Sequence, residues 1–141
     1  MGISIPLIVY THTDMKDVWP MFFGQLKKYI GDTKVYVAVN EDDTQLSDMI
    51  RIIYDDSKQY TDRWKDILEQ VEEETLMFMH EDMILFDKVD FQSLEKYIGY
   101  INDGLANSIK LILAGDVVSI SDFDNTLVQN EFARFSVQPT I

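Results

Sequence analysis

The sequence contains no cysteine, which removes disulfides, thiolate metal sites and cysteine nucleophiles together. It is also poor in positive charge. Its 12 Lys and Arg stand against 25 Asp and Glu, for a formal charge of -13 and a pI near 4.3. A surface this negative repels phosphate backbones and anionic lipid, and neither half of the chain carries a basic stripe, so nucleic acid and a polybasic membrane anchor are excluded as partners. Long apolar runs are missing as well. Nowhere do about 18 apolar residues run together, so no transmembrane segment is expected. The apolar run at residues 5–10 is too short for the core of a signal peptide and has no basic residues before it. These absences predict a soluble, cytoplasmic protein.

What remains is an ordinary globular composition, with 46% hydrophobic, 12% aromatic and 26% charged residues among 141. A chain of this length buries roughly 70% of the surface its unfolded form exposes, enough for one core without staples. There is no internal repeat, low-complexity stretch or long linker, so a single domain over residues 1–141 is expected. The acidity is uneven: residues 1–70 hold 8 basic and 12 acidic residues, residues 71–141 hold 4 and 13. An acidic cluster in the second half is a candidate cation site.

Hydrophobic periodicity alternates between two patterns. The continuous apolar run at residues 5–10 suits a strand buried on both faces, followed by the polar loop Thr11, His12, Thr13 and Asp14. Asp17 is a candidate cap for a helix whose apolar face is Trp19, Phe22, Phe23, Leu26 and Ile30, with Pro20 in its first turn and Gly31 at its end. Residues 34–39 read as a strand running into the acidic loop Asn40, Glu41, Asp42 and Asp43, and residues 52–54 as a short strand ending at Asp55 and Asp56. Trp64, Ile67, Leu68 and Val71 recur at helical spacing behind the candidate cap Thr61. Residues 75–79 form a buried strand, Phe91 to Ile101 a third helix closed by a turn at Gly104, and residues 109–114 a further strand. Strands alternating with helices predict an α/β fold, a three-layer α/β/α sandwich around a mainly parallel sheet.

In such a sheet, ligands bind outside the carboxyl ends of the strands, near a reversal in strand order. Every strand here ends in polar or acidic residues, and those loops would open toward one rim. Taken singly, each such loop reads equally as a helix cap or a solvated turn. The sharpest local signal is His80, Glu81 and Asp82, set between the apolar runs Met77 to Met79 and Met83 to Phe86. Buried charge needs a partner. A divalent cation is one, oxygen ligands suiting Mg2+ or Mn2+ and the imidazole favouring Mn2+; a salt-bridged corner with His80 as a satisfied core histidine is the other reading.

The order of elements, ending in a strand that runs into an acidic triplet, resembles the nucleotide-sugar-binding half of glycosyltransferases of the GT-A fold, which carry a metal-binding Asp-x-Asp at that place. Tyr60-Thr61-Asp62-Arg63-Trp64, followed by Phe78-Met79-His80-Glu81-Asp82-Met83, looks like a pattern of small family-2-like members, and the segment from Phe135 to Ile141 looks like one that precedes their acceptor half. The resemblance implies a metal-dependent glycosyltransferase with a nucleotide-sugar donor and a glycan or other acceptor. It implies that Thr11, His12, Thr13 and Asp14 line the nucleoside pocket, that Glu41 faces the base or ribose, and that Asp62 and Arg63 sit by the nucleotide. Asp82 matches the last Asp of the metal motif, with His80 where the first is expected, and Glu81 orients the ribose or meets the metal through water. Enzymes of this kind are longer, with the acceptor and often the general base served by a later half, so an acceptor half is expected to be lacking here. Asp116, Asp122 and Asp124 stand as candidate bases only by their position beyond the last strong strand. A non-catalytic nucleotide-binding or scaffolding domain of the same fold is the alternative.

A competing motif lies at Asp122-Phe123-Asp124-Asn125-Thr126-Leu127, which resembles the nucleophile loop of haloacid-dehalogenase-type phosphatases, where the first Asp attacks phosphorus and the second serves as acid and base. That fold needs further motifs downstream, and only 13 residues follow Val128.

Overall fold

The computed structural model describes residues 2–111, 127–129 and 134–136. The chain divides into two compact units, Met1–Phe91 and Gln92–Ile141. In the first unit, β1 (Leu7–Tyr10), β2 (Val35–Val39), β3 (Ile50–Ile53) and β4 (Met77–His80) form a four-stranded sheet in the order β3-β2-β1-β4. All three pairings are parallel, and Leu7 stands beside both Val35 and Met77. Two helices, α1 (Trp19–Ile30) and α2 (Tyr60–Glu69), supply the crossovers β1 to β2 and β3 to β4. The α/β class and the parallel sheet agree with the sequence reading.

Alternation of side chains along each strand sends odd and even residues to opposite faces. Val37 and Val39 pack with Trp19 and Leu46 on the α1 face. Ile8, Tyr10, Tyr36, Ala38, Ile52 and Tyr54 pack with Ile67 of α2 on the other. The first unit is therefore layered helix, sheet, helix, and β1 at its centre is buried at every residue. The continuous apolar run that suggested a two-faced strand has this cause.

Several local details differ from the sequence reading. Val18, not Asp17, is the N-cap of α1, without a side-chain cap bond; Pro20 does lie in the first turn. Gly31 closes the helix at φ 76°, in the left-handed region where a Cβ is strained. Gln59 rather than Thr61 caps α2, and Leu68, placed by spacing on the buried face, is 47% exposed. The apolar run after Asp82, to which periodicity assigns no element, lies in neither helix nor strand. Instead the carbonyls of Leu85 and Phe86 accept from Gln25 Nε2 at 3.0 Å and Tyr29 Oη at 3.1 Å, which ties this segment to α1.

In the second unit, α3 (Phe91–Asn102), which begins at the boundary, is followed by Gly104 at φ 75°. Tyr97 and Ala106 are buried together, with Tyr100 and Ile109 against them. The strand expected at residues 109–114 is β5 (Ser108–Lys110), and residues 112–114 lie outside the described residues. It does not extend the parallel sheet. It pairs antiparallel with β7 (Arg134–Ser136), which pairs antiparallel with β6 (Leu127–Gln129). Among the described residues no helix is long and apolar enough to cross a membrane.

Candidate functional site

After β1 the chain steps outward through β2 to β3, then returns to place β4 on the other side of β1. In open sheets of this kind the ligand crevice lies at such a reversal, here at the carboxyl ends of β1 and β4, where Tyr10 and His80 are register partners. Residues 11–14 leave one lip and Glu81 and Asp82 the other, so the topology brings the two principal sequence candidates to adjacent strand ends.

The β1 lip is held by internal bonds. Thr11 is buried; its Oγ1 accepts from Trp19 Nε1 at 2.8 Å and its carbonyl from Tyr54 Oη at 2.7 Å. Thr11 thus anchors the loop rather than lining its surface. Burial and the neighbouring Tyr10 hydroxyl push the Tyr54 pKa up, which keeps it a protonated donor. His12 Nε2 meets Asp56 Oδ2 at 2.8 Å, while its Nδ1 accepts from the Asp14 backbone N–H at 3.1 Å. The second bond makes Nε2 the protonated nitrogen, donating to Asp56. Asn40 clasps Thr13: the Thr13 N–H donates to Asn40 Oδ1 at 2.8 Å and Asn40 Nδ2 to Thr13 Oγ1 at 3.0 Å. Thr13 Oγ1 then donates to Glu41 Oε1 at 3.3 Å, so Thr13 and Glu41 do meet. The Asp14 carboxylate is exposed, 3.4 Å from His12 Nδ1.

Arg63 is engaged in the same network. Its Nη2 donates to the Asp56 carbonyl at 2.6 Å, its Nε to the Lys58 carbonyl at 2.9 Å and its Nη1 to Tyr10 Oη at 3.2 Å. The Asp56 carboxylate lies 3.2 Å from Nη1. Asp56 therefore bridges Arg63 to His12 and links the loops after β1 and β3. The sequence placed Asp56 on the rim without a role, and its signal was only a second carboxylate at a strand end. Asp62 lies in the first turn of α2 and pairs with Lys65 at 3.6 Å.

At the β4 lip, His80 closes the strand rather than starting the loop. Its ring meets Tyr10 at 5.4 Å and Phe78 at 4.8 Å between centroids, both edge to face. The Met83 N–H donates to the His80 carbonyl at 3.1 Å, folding Glu81 and Asp82 into a turn. Asp82 is exposed. Glu81 Oε2 is buried without a hydrogen-bond partner.

Among the described residues no group of three or more His, Asp or Glu is placed to hold a metal. The donors at this lip are nonetheless suited to a hard cation. Mg2+ and Mn2+ at phosphate sites take one or two carboxylates and complete their shells with water and phosphate oxygens, and Glu81 Oε2 is a carboxylate oxygen lacking a partner, in the residue next to Asp82. Asp116, Asp122 and Asp124, and with them the phosphatase-like motif, lie outside the described residues.

A groove of about 540 Å³ occurs at the other end of the sheet, between the end of α1 and the start of β2, lined by Leu26, Lys27, Ile30, Val35 and Met49 among others. None of the candidate residues borders it. No family profile, curated protein or solved structure matches the chain.

Proposed function

We propose that the protein binds a nucleoside-diphosphate sugar with a divalent cation at the β1/β4 crevice and transfers the sugar to an acceptor, after the manner of the GT-A glycosyltransferases it resembles. One observation carries this reading. At the reversal of strand order, the turn that follows β4 carries a buried carboxylate oxygen without a hydrogen-bond partner, Glu81 Oε2, in the residue next to the exposed Asp82.

Asp82 and Glu81 are the residues assigned to the cation. When bound, Mn2+ or Mg2+ would stabilise negative charge on the departing nucleoside diphosphate. The acidic rim gives this cation a second purpose. With Asp14, Glu41, Asp56 and Asp82 around the crevice, a free diphosphate is repelled, and binding requires metal to reverse the local sign. Thr13, Asn40 and Glu41 form a pre-bonded polar surface for the base and ribose, because their mutual bonds fix their rotamers before ligand arrives. Arg63 holds the 55–58 loop in place.

That engagement of Arg63 favours one second reading, a nucleotide-binding domain without transfer, since its guanidinium already has four oxygen partners. Donor hydrolysis separates the two: slow metal-dependent release of nucleoside diphosphate marks a transferase. The binding step itself is tested by melting temperature with UDP, GDP, dTDP or CMP, each with and without Mn2+ or Mg2+. A rise is expected only when nucleotide and metal are both present, and Asp82→Asn removes it. No rise with any combination refutes the proposal.

A further inference from the structure

Six rings converge where β1, β4 and α2 meet. Tyr10 is stacked on Tyr54 at 4.9 Å and on Trp64 at 5.4 Å, and takes Tyr60 and His80 edge-on. Phe78 completes the group, edge-to-face with Trp64 at 4.9 Å and with His80 at 4.8 Å. Tyr10 and Tyr54 are buried and Trp64 and His80 partly buried, whereas Tyr60 is 49% and Phe78 42% exposed. Among the described residues the His80 ring has aromatic neighbours but no hydrogen-bond partner for its nitrogens.

From this arrangement we propose that Tyr60, Trp64 and Phe78 form a carbohydrate platform that seats a pyranose ring of the acceptor, with a His80 ring nitrogen bonding one of its hydroxyls. The inference rests on the glycosyl-transfer reading above and names the acceptor class for that same crevice.

Size favours a single ring over a macromolecule. Aromatic side chains present about 150–250 Å² each, so two half-exposed rings leave on the order of 200 Å² to solvent. A stable protein interface needs about 800 Å² per partner. The chemistry favours a sugar over a purely apolar ligand. One face of a pyranose presents C–H groups with partial positive charge, which suit the negative face of an aromatic ring. Its edge carries hydroxyls, which need partners such as the unengaged imidazole nitrogens beside Phe78. The position fits as well, because His80 ends β4 directly before the carboxylates assigned to the cation, which puts this end of the platform at the strand end where the donor is proposed to bind.

The test is saturation-transfer NMR with the methyl glycosides of glucose, galactose, mannose and N-acetylglucosamine, without nucleotide. At least one glycoside is expected to receive saturation through the C–H groups of one face. Phe78→Leu and Tyr60→Leu should each weaken its binding about tenfold while leaving the nucleotide-plus-Mn2+ melting shift in place. Tyr60→Leu alters a half-exposed ring, so it remains informative if Phe78→Leu misfolds. Absence of transfer to every glycoside, or wild-type binding by Tyr60→Leu, overturns the platform. A platform that fails with the nucleotide shift intact leaves the donor reading standing, and glycoside binding without any nucleotide shift does the reverse.

Discussion

The indole Nε1 of Trp19 donates a 2.8 Å hydrogen bond to Oγ1 of Thr11, joining the first turn of α1 to the residue that leaves β1. Both residues are buried to within 1%. The bond sets where the β1 lip of the crevice begins, since the Thr11 carbonyl is simultaneously held by Tyr54.

Trp19→Phe keeps an aromatic ring but leaves Thr11 Oγ1 without its donor in a dry site. A loss of about 1–3 kcal/mol is expected, read as a lowered midpoint in urea. Trp19→Ala adds a cavity and should cost about 3–5 kcal/mol. The double variant Trp19→Phe, Thr11→Val, with no orphaned hydroxyl, should recover part of the first loss.

Glu73 and Lys34 form an acid-sensitive tie at the other end of the sheet. Lys34 Nζ lies 2.6 Å from Glu73 Oε1, and Tyr36 Oη donates to Glu73 Oε2 at 2.9 Å. The Lys34 ammonium, then the Tyr36 hydroxyl, hold the Glu73 carboxyl below its ordinary range, and Glu73 raises the Lys34 pKa in turn. A depressed carboxylate stabilises the fold fully above its unfolded pKa, and the gain is lost as pH falls through the folded value. A raised lysine contributes below its unfolded pKa and loses that contribution as pH climbs. The melting-temperature gap between wild type and Glu73→Gln should therefore be flat around neutrality and close below about pH 4, where free glutamate itself titrates. Salt should narrow it, because Lys34 is half exposed.

Arg63→Lys retains charge but loses the planar fork that reaches two carbonyls, a carboxylate and a phenol oxygen. Amide hydrogen exchange at residues 55–58 should accelerate, with little change in β2. His12, which shares Asp56 with Arg63, should show an altered imidazole shift in the NMR spectrum. Unchanged exchange in the loop would show that Arg63 is not its clamp.

Glu81 carries a conflict between stability and ligand binding. Its unpartnered oxygen costs the free fold about 1–3 kcal/mol of desolvation. Glu81→Met should accordingly stabilise the ligand-free protein by about 1 kcal/mol or more, read as a higher melting temperature, yet weaken the metal-dependent nucleotide shift. Asp82→Asn, exposed, should abolish that shift with almost no change in basal stability.

Much of the fold was legible because its signals are local. The buried run at β1, the apolar spacing of α1 and the β-branched run of β2 each state their element within a single window of sequence. The misreadings are also local in kind. Asp17 and Thr61 are good capping residues, but the helices begin where packing of Trp19 and the 55–58 loop places them, one or two residues from the expected caps. Residues 109–114 read as a strand, and Ser108–Lys110 is one, but nothing within that run says that its partner is Arg134–Ser136 in a separate antiparallel sheet. A strand's partner is a property of two segments, so no single run of residues contains it.

The candidate site divides in the same way. By itself the sequence determined that the chain is acidic, that its strands end in carboxylates, and that His80, Glu81 and Asp82 interrupt an apolar stretch, because composition and alternation are properties of adjacent residues. Tertiary structure decided which of those groups are engaged and which are free: His12 and Arg63 meet on Asp56, Thr11 is buried under Trp19, and Glu81 keeps one oxygen without a partner. The physical reason is distance. Hydrogen bonds and ion pairs act over a few ångströms, and residues 44 apart in the chain, such as His12 and Asp56, come within that range only when the strand order β3-β2-β1-β4 brings their loops to one edge.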